Sequence, residues 1–482
     1  MKKSPYFKSS VKIEKLSSKG YGLGFLKKTE TSPLSKVVVP GTLPGDEVIA
    51  DVGPKRQGVY FGKLLEILEP SLDRVSPRCV HSGSCGGCSL QQMSYESQLA
   101  HKELTVKELF APLFKEDPRP ILPSDPIWQY RNKMEYTFSQ DKEGNRFLGL
   151  IIAASKGRVE PITECHLSPA WFISLLEAVR KWWETSSLLA YNGYRNTGSL
   201  RTLTVREGRR TGQKMAILTV SGCPEFSLTK EHLNGFVAAS KEALSPLIED
   251  ELSLFLRVQQ IAPGMVTQFY EMQLLGPAHI SEELTITVEN YHKKYQFKIS
   301  PTAFFQPNTC QAEKLYSKAL EMSGLKKRKV VFDLYAGTAT LGMIFSAFAE
   351  KVIAIEINPY AVFDAEMNKE INQIPNLEIF KGDVFEVLRD LRKKDASLQN
   401  PDLVLLDPPR TGLSKEALAI VLQLSPQEII YISCAPQTQA NDCALFKEAG
   451  YELVAIQPVD QFPHTAHIEN IVLLKRKNIL FS

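Results

Sequence analysis

The feature that most constrains the fold is a regular alternation of apolar runs and helix-length segments after about residue 300. Continuous apolar strands separated by helices indicate a parallel sheet with helices on both faces. The pattern therefore predicts an α/β, doubly wound, Rossmann-like domain over residues 301–482. Its predicted strands are Val330–Leu334, Val352–Glu356, Leu377–Phe380, Leu403–Asp407, Ile429–Ser433, Tyr451–Val459 and Ile468–Lys475.

The rest of the chain divides into two further predicted domains. Residues 1–70 are predicted to form a small OB-like β-barrel, because short β-rich runs alternate there with turn signals. Residues 71–300 show a mixed α+β pattern, with helical runs at Tyr95–Phe110 and Trp171–Glu184. A chain of 482 residues has room for three domains of about 150 residues each.

The predicted barrel concentrates basic residues around two aromatic side chains, Tyr21 and Phe25. Basic and aromatic side chains together suit an RNA strand, although they also fit a solvated surface with a few core aromatics. The net charge of the whole chain is +3, which neither requires nor excludes a nucleic-acid partner. The strands predicted here are Val11–Ile13, Lys36–Val39, Glu47–Val52 and Tyr60–Leu68, with turns at Gly20, Gly22 and Gly24.

The composition is that of an ordinary globular protein, with 43% hydrophobic and 23% charged residues. It excludes a mostly disordered chain, a collagen-like chain and a small disulfide scaffold. The N-terminus lacks the apolar segment of a secretory signal, and no run approaches the roughly 20 apolar residues of a membrane span. We therefore expect a cytoplasmic protein without membrane contact, a monomer with no obligate protein partner.

Acidic residues end or follow successive predicted strands. The first strand leads into VVFDLYAGTATLGM, where a turn of small residues lets a ligand approach the backbone. Glu356 suits the ribose hydroxyls of an adenosine, Asp383 suits the adenine, and Asp407 ends the fourth strand. Since an acidic residue after a strand often only caps the next helix, the interpretation depends on the whole set. No G-x-G-x-x-G motif is present, so the pattern favours S-adenosylmethionine over a dinucleotide.

Two residues near the C-terminus suit nucleophilic chemistry. Cys434 ends the fifth predicted strand and precedes a helix, where a thiolate has a lowered pKa. Glu469, close to His464 and His467 in sequence, suits a general base. The alternatives are a buried structural cysteine and a surface glutamate. Together a thiolate and a base suit methylation of a pyrimidine, because C5 of uracil becomes nucleophilic only after a thiolate adds to C6.

Four other cysteines form a possible ligand set. Cys79, Cys85 and Cys88 are closely spaced, and Cys165 follows much later. In a reducing compartment such clustering indicates metal binding or catalysis rather than disulfides. Four thiolates suit zinc or an iron–sulfur cluster. The spacing alone does not decide between zinc, an iron–sulfur cluster and neither of them. The remaining cysteines are expected to be structural thiols: Cys223, Cys310 and Cys443.

Taken together, these motifs resemble the bacterial RNA uracil-5-methyltransferases, and most closely the branch that carries an iron–sulfur cluster and modifies 23S rRNA. The resemblance covers almost the whole chain. It implies an N-terminal TRAM domain, a 4Fe–4S cluster on the four cysteines, and S-adenosylmethionine as the methyl donor. It also implies that RNA contacts the YRNK segment, Tyr130 to Lys133.

The same resemblance assigns roles to single residues. Cys434 in SCAPQT corresponds to the nucleophile, and Glu469 in HIEN corresponds to the base. The donor-binding positions are Gln306 of FFQPN, Tyr335, Thr340, Glu356, Asp383 and Asp407.

The chain departs from the family pattern at one turn. DLYCGTGT in the family is DLYAGTAT here, with Ala336 and Ala339 in place of a cysteine and a glycine. A methyl group at position 339 takes up room where the backbone meets the donor, so we expect weaker donor binding or a shifted loop with activity retained. Three alternatives remain: the same reaction on tRNA, a cytosine-5-methyltransferase, and an iron–sulfur RNA-binding protein with a weakened catalytic domain.

Overall fold

The computed structural model describes residues 6–29, 31–155, 157–245, 251–261, 267–395 and 398–477. Residues 1–5 of the predicted barrel and residues 478–482 of the predicted C-terminal domain lie outside this part. Among the described residues, no helix combines the length and the apolar character needed to cross a membrane.

The N-terminal residues form a five-stranded barrel. The strands are β1 (Phe7–Leu16), β2 (Gly22–Leu26), β3 (Ser35–Val39), β4 (Glu47–Val52) and β5 (Tyr60–Glu69). They close in the order β1-β2-β3-β5-β4, and β1 also pairs with β4. Alternate side chains such as Val11, Val37 and Val48 fill the interior, where they are fully buried.

The prediction of turns at Gly22 and Gly24 is wrong, because both residues lie within β2. A Cβ atom at Gly24 would lie 2.4 Å from the carbonyl oxygen of Lys12, and one at Gly22 would lie 2.0 Å from Oγ1 of Thr42. Glycine is needed at both positions because other residues of the same chain lie too close to leave room for a side chain. Gly20 does lie in the turn before β2, with φ +74°.

The middle of the chain contains a mixed seven-stranded sheet. Its elements are α1 (Tyr95–Phe110), β6 (Lys133–Gln140), β7 (Arg146–Ile151), β8 (Val159–Pro161), α2 (Ala170–Thr185), β9 (Leu200–Glu207), β10 (Lys214–Ser221), α3 (Lys230–Ala243), β11 (Leu252–Gln260) and β12 (Gln268–Leu275). The strand order is β12-β11-β10-β9-β6-β7-β8. Helices α2 and α3 pack on one face through buried Phe172, Trp183 and Phe236.

A hairpin joins this sheet to the C-terminal part. It consists of β13 (Ile280–Val288) and β14 (Tyr291–Ile299). Its buried side chains, among them Leu284 and Phe297, share one hydrophobic core with strands of the C-terminal sheet. The packing therefore favours a C-terminal unit that begins near residue 280, and the predicted domain limits stay a prediction.

The C-terminal part contains a second seven-stranded sheet. Its elements are α4 (Thr309–Ser323), β15 (Arg328–Leu334), α5 (Thr340–Phe345), β16 (Ala349–Glu356), α6 (Pro359–Ile371), β17 (Leu377–Lys381), α7 (Val384–Lys394), β18 (Leu403–Leu406), α8 (Lys415–Leu424), β19 (Glu428–Ser433), α9 (Pro436–Glu448), β20 (Tyr451–Val459) and β21 (Glu469–Arg476). The order is β17-β16-β15-β18-β19-β21-β20, parallel except for β21, which is antiparallel to both neighbours. The predicted fold class, α/β with a Rossmann-like sheet and an N-terminal barrel, is confirmed.

Candidate active site

The turn after β15 leaves its backbone open to a ligand. β15 lies beside β18, where the strand order reverses, which is the usual ligand crevice of such sheets. Tyr335, Gly337 and Ala339 adopt left-handed conformations with φ between +56° and +62°. Among the described residues, no atom lies within 4 Å of the place a Cβ of Gly337 would occupy. Thr340 then begins α5, with its Oγ1 atom 3.1 Å from Oγ1 of Thr338.

Glu356 and Asp383 lie at the carboxyl edge of the same sheet. The carboxylate of Glu356 accepts hydrogen bonds from the backbone N–H of Gly337 and of Asn358, both at 2.8 Å. Its position beside the turn suits a ligand ribose. Asp383 is exposed and caps α7 by accepting from the N–H of Phe385 at 2.9 Å. The helix-capping role therefore applies to Asp383 whether or not it also binds a ligand.

The acidic residue near the end of the first predicted strand, Asp333, holds the turn after β15 in place. Asp333 is only 1% exposed, and its Oδ2 atom accepts from the N–H of Gly342 at 2.8 Å. Burial raises its pKa to about 7, and the nearby carboxylates of Asp407 and Glu356 act in the same direction. Burial also raises the pKa of Asp407, at the end of β18, to about 7. The crevice therefore contains two carboxyls whose pKa values are raised by burial.

Cys434 and Glu469 lie at the ends of adjacent strands. Ser433, the last residue of β19, pairs with Asn470 of β21. Because the two strands are antiparallel, the residue after Ser433 lies opposite the residue before Asn470, so Cys434 and Glu469 are neighbours. Cys434 is half-buried and lies two residues before the start of α9, while Glu469 is 4% exposed. The charge of Asp407 raises the pKa of both groups.

The pKa values of these two groups are set by burial. Burial raises the pKa of the Cys434 thiol, the charge of Glu469 raises it further, and a hydrogen bond from Arg410 lowers it. The expectation of a lowered thiol pKa is therefore wrong, because burial and the charges of Glu469 and Asp407 outweigh the effect of Arg410. Burial and the charge of Asp407 likewise raise the pKa of Glu469 well above its usual range, and Arg410 opposes this.

Arg410 is the functional candidate that sequence reasoning missed. Its exposed guanidinium bonds to Cys434 and lies 3.3 Å (Nη2) from Nδ1 of His467. Its backbone carbonyl accepts a hydrogen bond from Oγ1 of Thr438 at 3.2 Å, which ties the residue to α9. Arg410 lies three residues after Asp407 in the sequence DPPR. Only the folded chain shows that its side chain turns towards the thiol.

Gln306 joins the same pocket through a tyrosine. It is 6% exposed, it is hydrogen-bonded to Tyr316, and its Oε1 atom lies 3.4 Å from Nε2 of Gln461. The charges of Asp407 and Glu469 both act on Tyr316. By contrast Tyr130, which was expected to face RNA, is buried and donates its hydroxyl hydrogen to the carbonyl oxygen of Pro463 at 3.1 Å.

The four clustered cysteines line one pocket. The segment that carries Cys79 is fastened next to Cys165, because Glu164 accepts a hydrogen bond from the N–H of Val80 at 2.7 Å. The space, about 470 Å³ when its open part is included, is lined by Cys79, Cys85, Cys88 and Cys165. In the described part of the chain, however, no three His, Cys, Asp or Glu side chains converge closely enough to hold a single metal ion.

A basic groove lies between the barrel and the cysteine segment. It measures about 1640 Å³ including its open part, and it runs along the barrel surface as far as the loop after β7. The exposed cations Arg56, Lys63 and Arg158 line it together with the exposed rings of Tyr6 and Phe61. Such a mixture of cations and rings suits a single-stranded nucleic acid.

The barrel, the Rossmann-like sheet and this crevice define an RNA-modifying methyltransferase. Comparisons with known proteins give the same result. Residues 250–477 match the family model described as tRNA (uracil-5-)-methyltransferase. Relatives that are more than 30% identical over most of this chain show that it belongs to a family of RNA methyltransferases.

Relatives cover nearly the whole chain. An uncharacterised RNA methyltransferase of Protochlamydia amoebophila is 46% identical over 440 residues, which is 90% of this chain and 99% of that protein. Another from Chlamydia trachomatis is 36% identical over 83% of this chain and 98% of its own length. Among solved structures, a Pyrococcus abyssi tRNA (uracil-54, C5)-methyltransferase in complex with S-adenosyl-L-homocysteine shares the fold, with a TM-score of 0.69, 24% identity, and coverage of 97% of this chain and 100% of that one.

Proposed function

We propose that the protein methylates C5 of uridine in 23S rRNA through a covalent bond between Cys434 and C6 of the base. The observation that carries this proposal is the placement of Cys434 and Glu469 on adjacent strand ends, in the same sheet that carries the turn after β15. A nucleophile, a buried base and a donor crevice then meet at one sheet edge. The uridine enters after it is flipped out of its RNA context.

The donor would lie along the turn after β15. S-adenosylmethionine supplies an electrophilic methyl group. The open space at Gly337 would admit it, Glu356 would hold its ribose and Asp383 its adenine. The other residues proposed to hold it are Gln306, Tyr335, Thr340 and Asp407.

The reaction follows from the chemistry of uracil. Sγ of Cys434 bonds to C6, and the electron pair of the C5–C6 double bond makes C5 nucleophilic. C5 takes the methyl group as the bond between that group and the donor sulfur breaks. Glu469 removes the C5 proton, the electron pair left behind restores the double bond, and the Cys434 thiolate leaves. A base with a raised pKa suits this step, because proton transfer is most efficient when the pKa lies near the working pH.

We also propose a 4Fe–4S cluster on Cys79, Cys85, Cys88 and Cys165. The pocket fits an anionic group, because Arg131 lines it and its buried Nε atom has no hydrogen-bond partner among the described residues. The N–H of Gly87 also points at Sγ of Cys85, 3.3 Å away. A cluster holds four thiolates farther apart than one metal ion does, in keeping with the open pocket. Uracil methylation requires no electron transfer, so the cluster would act as a structural element.

The RNA would occupy the basic groove, with the barrel acting as a TRAM domain. Electrostatic attraction to phosphates and ring stacking with bases supply affinity without reading sequence. The groove therefore supports RNA binding in general. The barrel and the cysteines favour 23S rRNA, whereas the descriptions of the family model and of the Pyrococcus protein name tRNA. We propose a cytoplasmic monomer.

Nucleoside mass analysis of purified 23S rRNA and tRNA, from cells with and without the gene, tests the proposal. Loss of 5-methyluridine from a 23S rRNA fragment supports it. Loss of 5-methyluridine from tRNA alone would show that tRNA is the substrate. Loss of 5-methylcytidine would show that the methylated base is cytosine. Unchanged 5-methyluridine in both RNAs would leave only the RNA-binding alternative.

A further inference from the structure

Helix α1 carries a row of polar side chains on one face, of which two are buried and one is half-buried. Tyr95, Gln98 and Lys102 are spaced by three and four residues, so they lie above one another on the helix. Gln98 is fully buried and Lys102 is 1% exposed. Polar side chains at such depth are normally satisfied by specific partners, and all three find theirs in residues 460–468, which we name the base loop.

Lys102 and Tyr95 hold the first residue of the base loop. Nζ of Lys102 lies 2.6 Å from Oδ1 of Asp460, and both side chains are almost fully buried. The same ammonium group donates to the carbonyl oxygen of Phe462 at 3.1 Å. The hydroxyl of Tyr95 donates to the other oxygen of Asp460 at 2.7 Å. Both carboxylate oxygens of Asp460 are therefore bound to α1.

Gln98 holds the middle of the base loop. Its Oε1 atom accepts a hydrogen bond from the backbone N–H of His464 at 2.8 Å, and its Nε2 atom lies 3.3 Å from Nδ1 of that ring. His464 has a φ of +65°, a conformation that a histidine adopts only when its surroundings impose it. The ring of Trp128 stacks on that of His464 with centroids 3.8 Å apart.

The segment between the cysteines and α1 contacts the same point. The N–H groups of Ser89 and Leu90 donate to the carbonyl oxygen of His464 at 3.1 and 3.0 Å. Oγ of Ser89 also accepts from the N–H of Ala466 at 3.2 Å. Hence both backbone polar groups of His464 are bound by residues more than 360 positions away in sequence.

The base loop ends where the proposed base begins. It connects β20 to β21, and Glu469 is the first residue of β21, paired with Val459 at the other end of the loop. Movement of the loop would therefore move the carboxylate relative to Cys434. A helix that only needed to pack on the sheet would use apolar side chains. Helix α1 does so near its C-terminus, at Val106 and Phe110.

We propose that the polar row of α1 positions Glu469 for removal of the C5 proton, by holding the base loop at its start and in its middle. The inference rests on the proposed function of Glu469. Tyr95, Gln98 and Lys102 are positioning residues, and none of them touches the reacting atoms.

The test uses Gln98→Met, which keeps the size of the side chain, and Tyr95→Phe, which removes only the hydroxyl. Val106→Ala serves as the control, because Val106 is fully buried on the same helix but its apolar side chain makes no hydrogen bond to the base loop. Glu469→Gln is the reference for a lost base. Each full-length variant is given RNA and S-adenosylmethionine, and covalent protein–RNA adduct, methylated product and thermal midpoint are measured.

In Gln98→Met and Tyr95→Phe we expect methyl transfer to proceed and the methylated adduct to persist, as in Glu469→Gln but less completely. kcat should fall by up to about 100-fold, the loss typical of a misplaced catalytic group, with an unchanged KM for the donor. Hydrogen–deuterium exchange should accelerate in residues 460–468. Val106→Ala should lower the thermal midpoint without retaining adduct.

If both row variants lose stability like Val106→Ala but release product at the wild-type rate, the positioning role is wrong. Unchanged amide exchange in the base loop would overturn it as well. The absence of adduct in Glu469→Gln would instead count against the proposed function, and the exchange of the loop amides would still decide whether α1 holds the loop.

Discussion

Nη2 of Arg410 lies 3.3 Å from Nδ1 of His467, and the same guanidinium bonds to Cys434. Arg410 therefore bridges the strand end that carries the proposed nucleophile and the loop that leads to the proposed base. Both groups must lose a proton to act, and burial raises the pKa of each while Arg410 lowers it. The activity of the protein should accordingly rise with pH through the neutral range and fall as the pH decreases.

Arg410→Met should move this pH profile to higher pH, because it removes the charge that favours the thiolate and the carboxylate. For every unit by which the limiting pKa rises, the rate at lower pH falls about tenfold. The measurement is kcat/KM for RNA between about pH 6 and pH 9, a range that spans the neutral region in which a catalytic acid or base is most effective. Arg410→Lys keeps a positive charge and should shift the profile less. A profile of Arg410→Met that falls in amplitude without moving would show that Arg410 only binds substrate.

Ala339→Gly should stabilise the protein. Ala339 has a φ of +56°, a left-handed conformation that is costly for a residue with a Cβ atom. Glycine there should raise the free energy of unfolding by about 1 kcal/mol and tighten binding of S-adenosylmethionine. The checks are a thermal melt and a calorimetric titration.

Ala336→Gly is the matched control in the same turn, because Ala336 is not among the residues with positive φ. It should lower stability by about 0.5–1 kcal/mol, since glycine there only increases the entropy of the unfolded chain. Equal effects of the two substitutions would refute the strain at position 339.

The cysteine pocket should hold about four iron and four sulfide per chain after purification without air. Cys88→Ser should lose most of this iron and the brown colour. Cys223→Ser should retain both, because Cys223 lies outside the pocket. Metal and sulfide analysis of the purified protein is the measurement. Stoichiometric zinc without sulfide would contradict the cluster.

The basic groove should account for part of the RNA affinity. The double variant Arg56→Ala with Arg158→Ala should bind RNA more weakly. The slope of log K against log salt should decrease by about 0.7 for each phosphate of single-stranded RNA that the variant no longer neutralises. Lys181→Ala, an exposed cation on α2, should leave the slope unchanged. An unaltered slope in the double variant would remove the groove from the RNA path.

The C-terminal sheet could be predicted from sequence because its strands are buried on both faces. A continuous apolar run such as the one in β19 is typical of a strand with both faces buried, as in a parallel sheet between two layers of helices. β2 could not be predicted, because Gly22 and Gly24 carry the local signal of a turn and their need for close contact with Thr42 and Lys12 exists only in the closed barrel.

The site was partly predictable for the same reason. Residues at strand ends, such as Cys434 and Glu469, follow from the strand pattern alone. The direction of the Arg410 side chain could not be predicted, because it depends on the conformation of the loop between β18 and α8. The polar row of α1 is hidden from a sequence pattern, because Gln98 and Lys102 read as solvent-facing positions until Asp460 is brought against them.

The most direct test of the account is the covalent adduct between protein and RNA. Wild-type protein, Cys434→Ala and Glu469→Gln are each incubated with S-adenosylmethionine and uridine-containing RNA, and the denatured mixture is analysed by mass spectrometry. The account predicts a trapped adduct through residue 434 in Glu469→Gln, with the methyl group already on the uracil, and no adduct in Cys434→Ala. An adduct formed by Cys434→Ala, or full turnover by that variant, would contradict it.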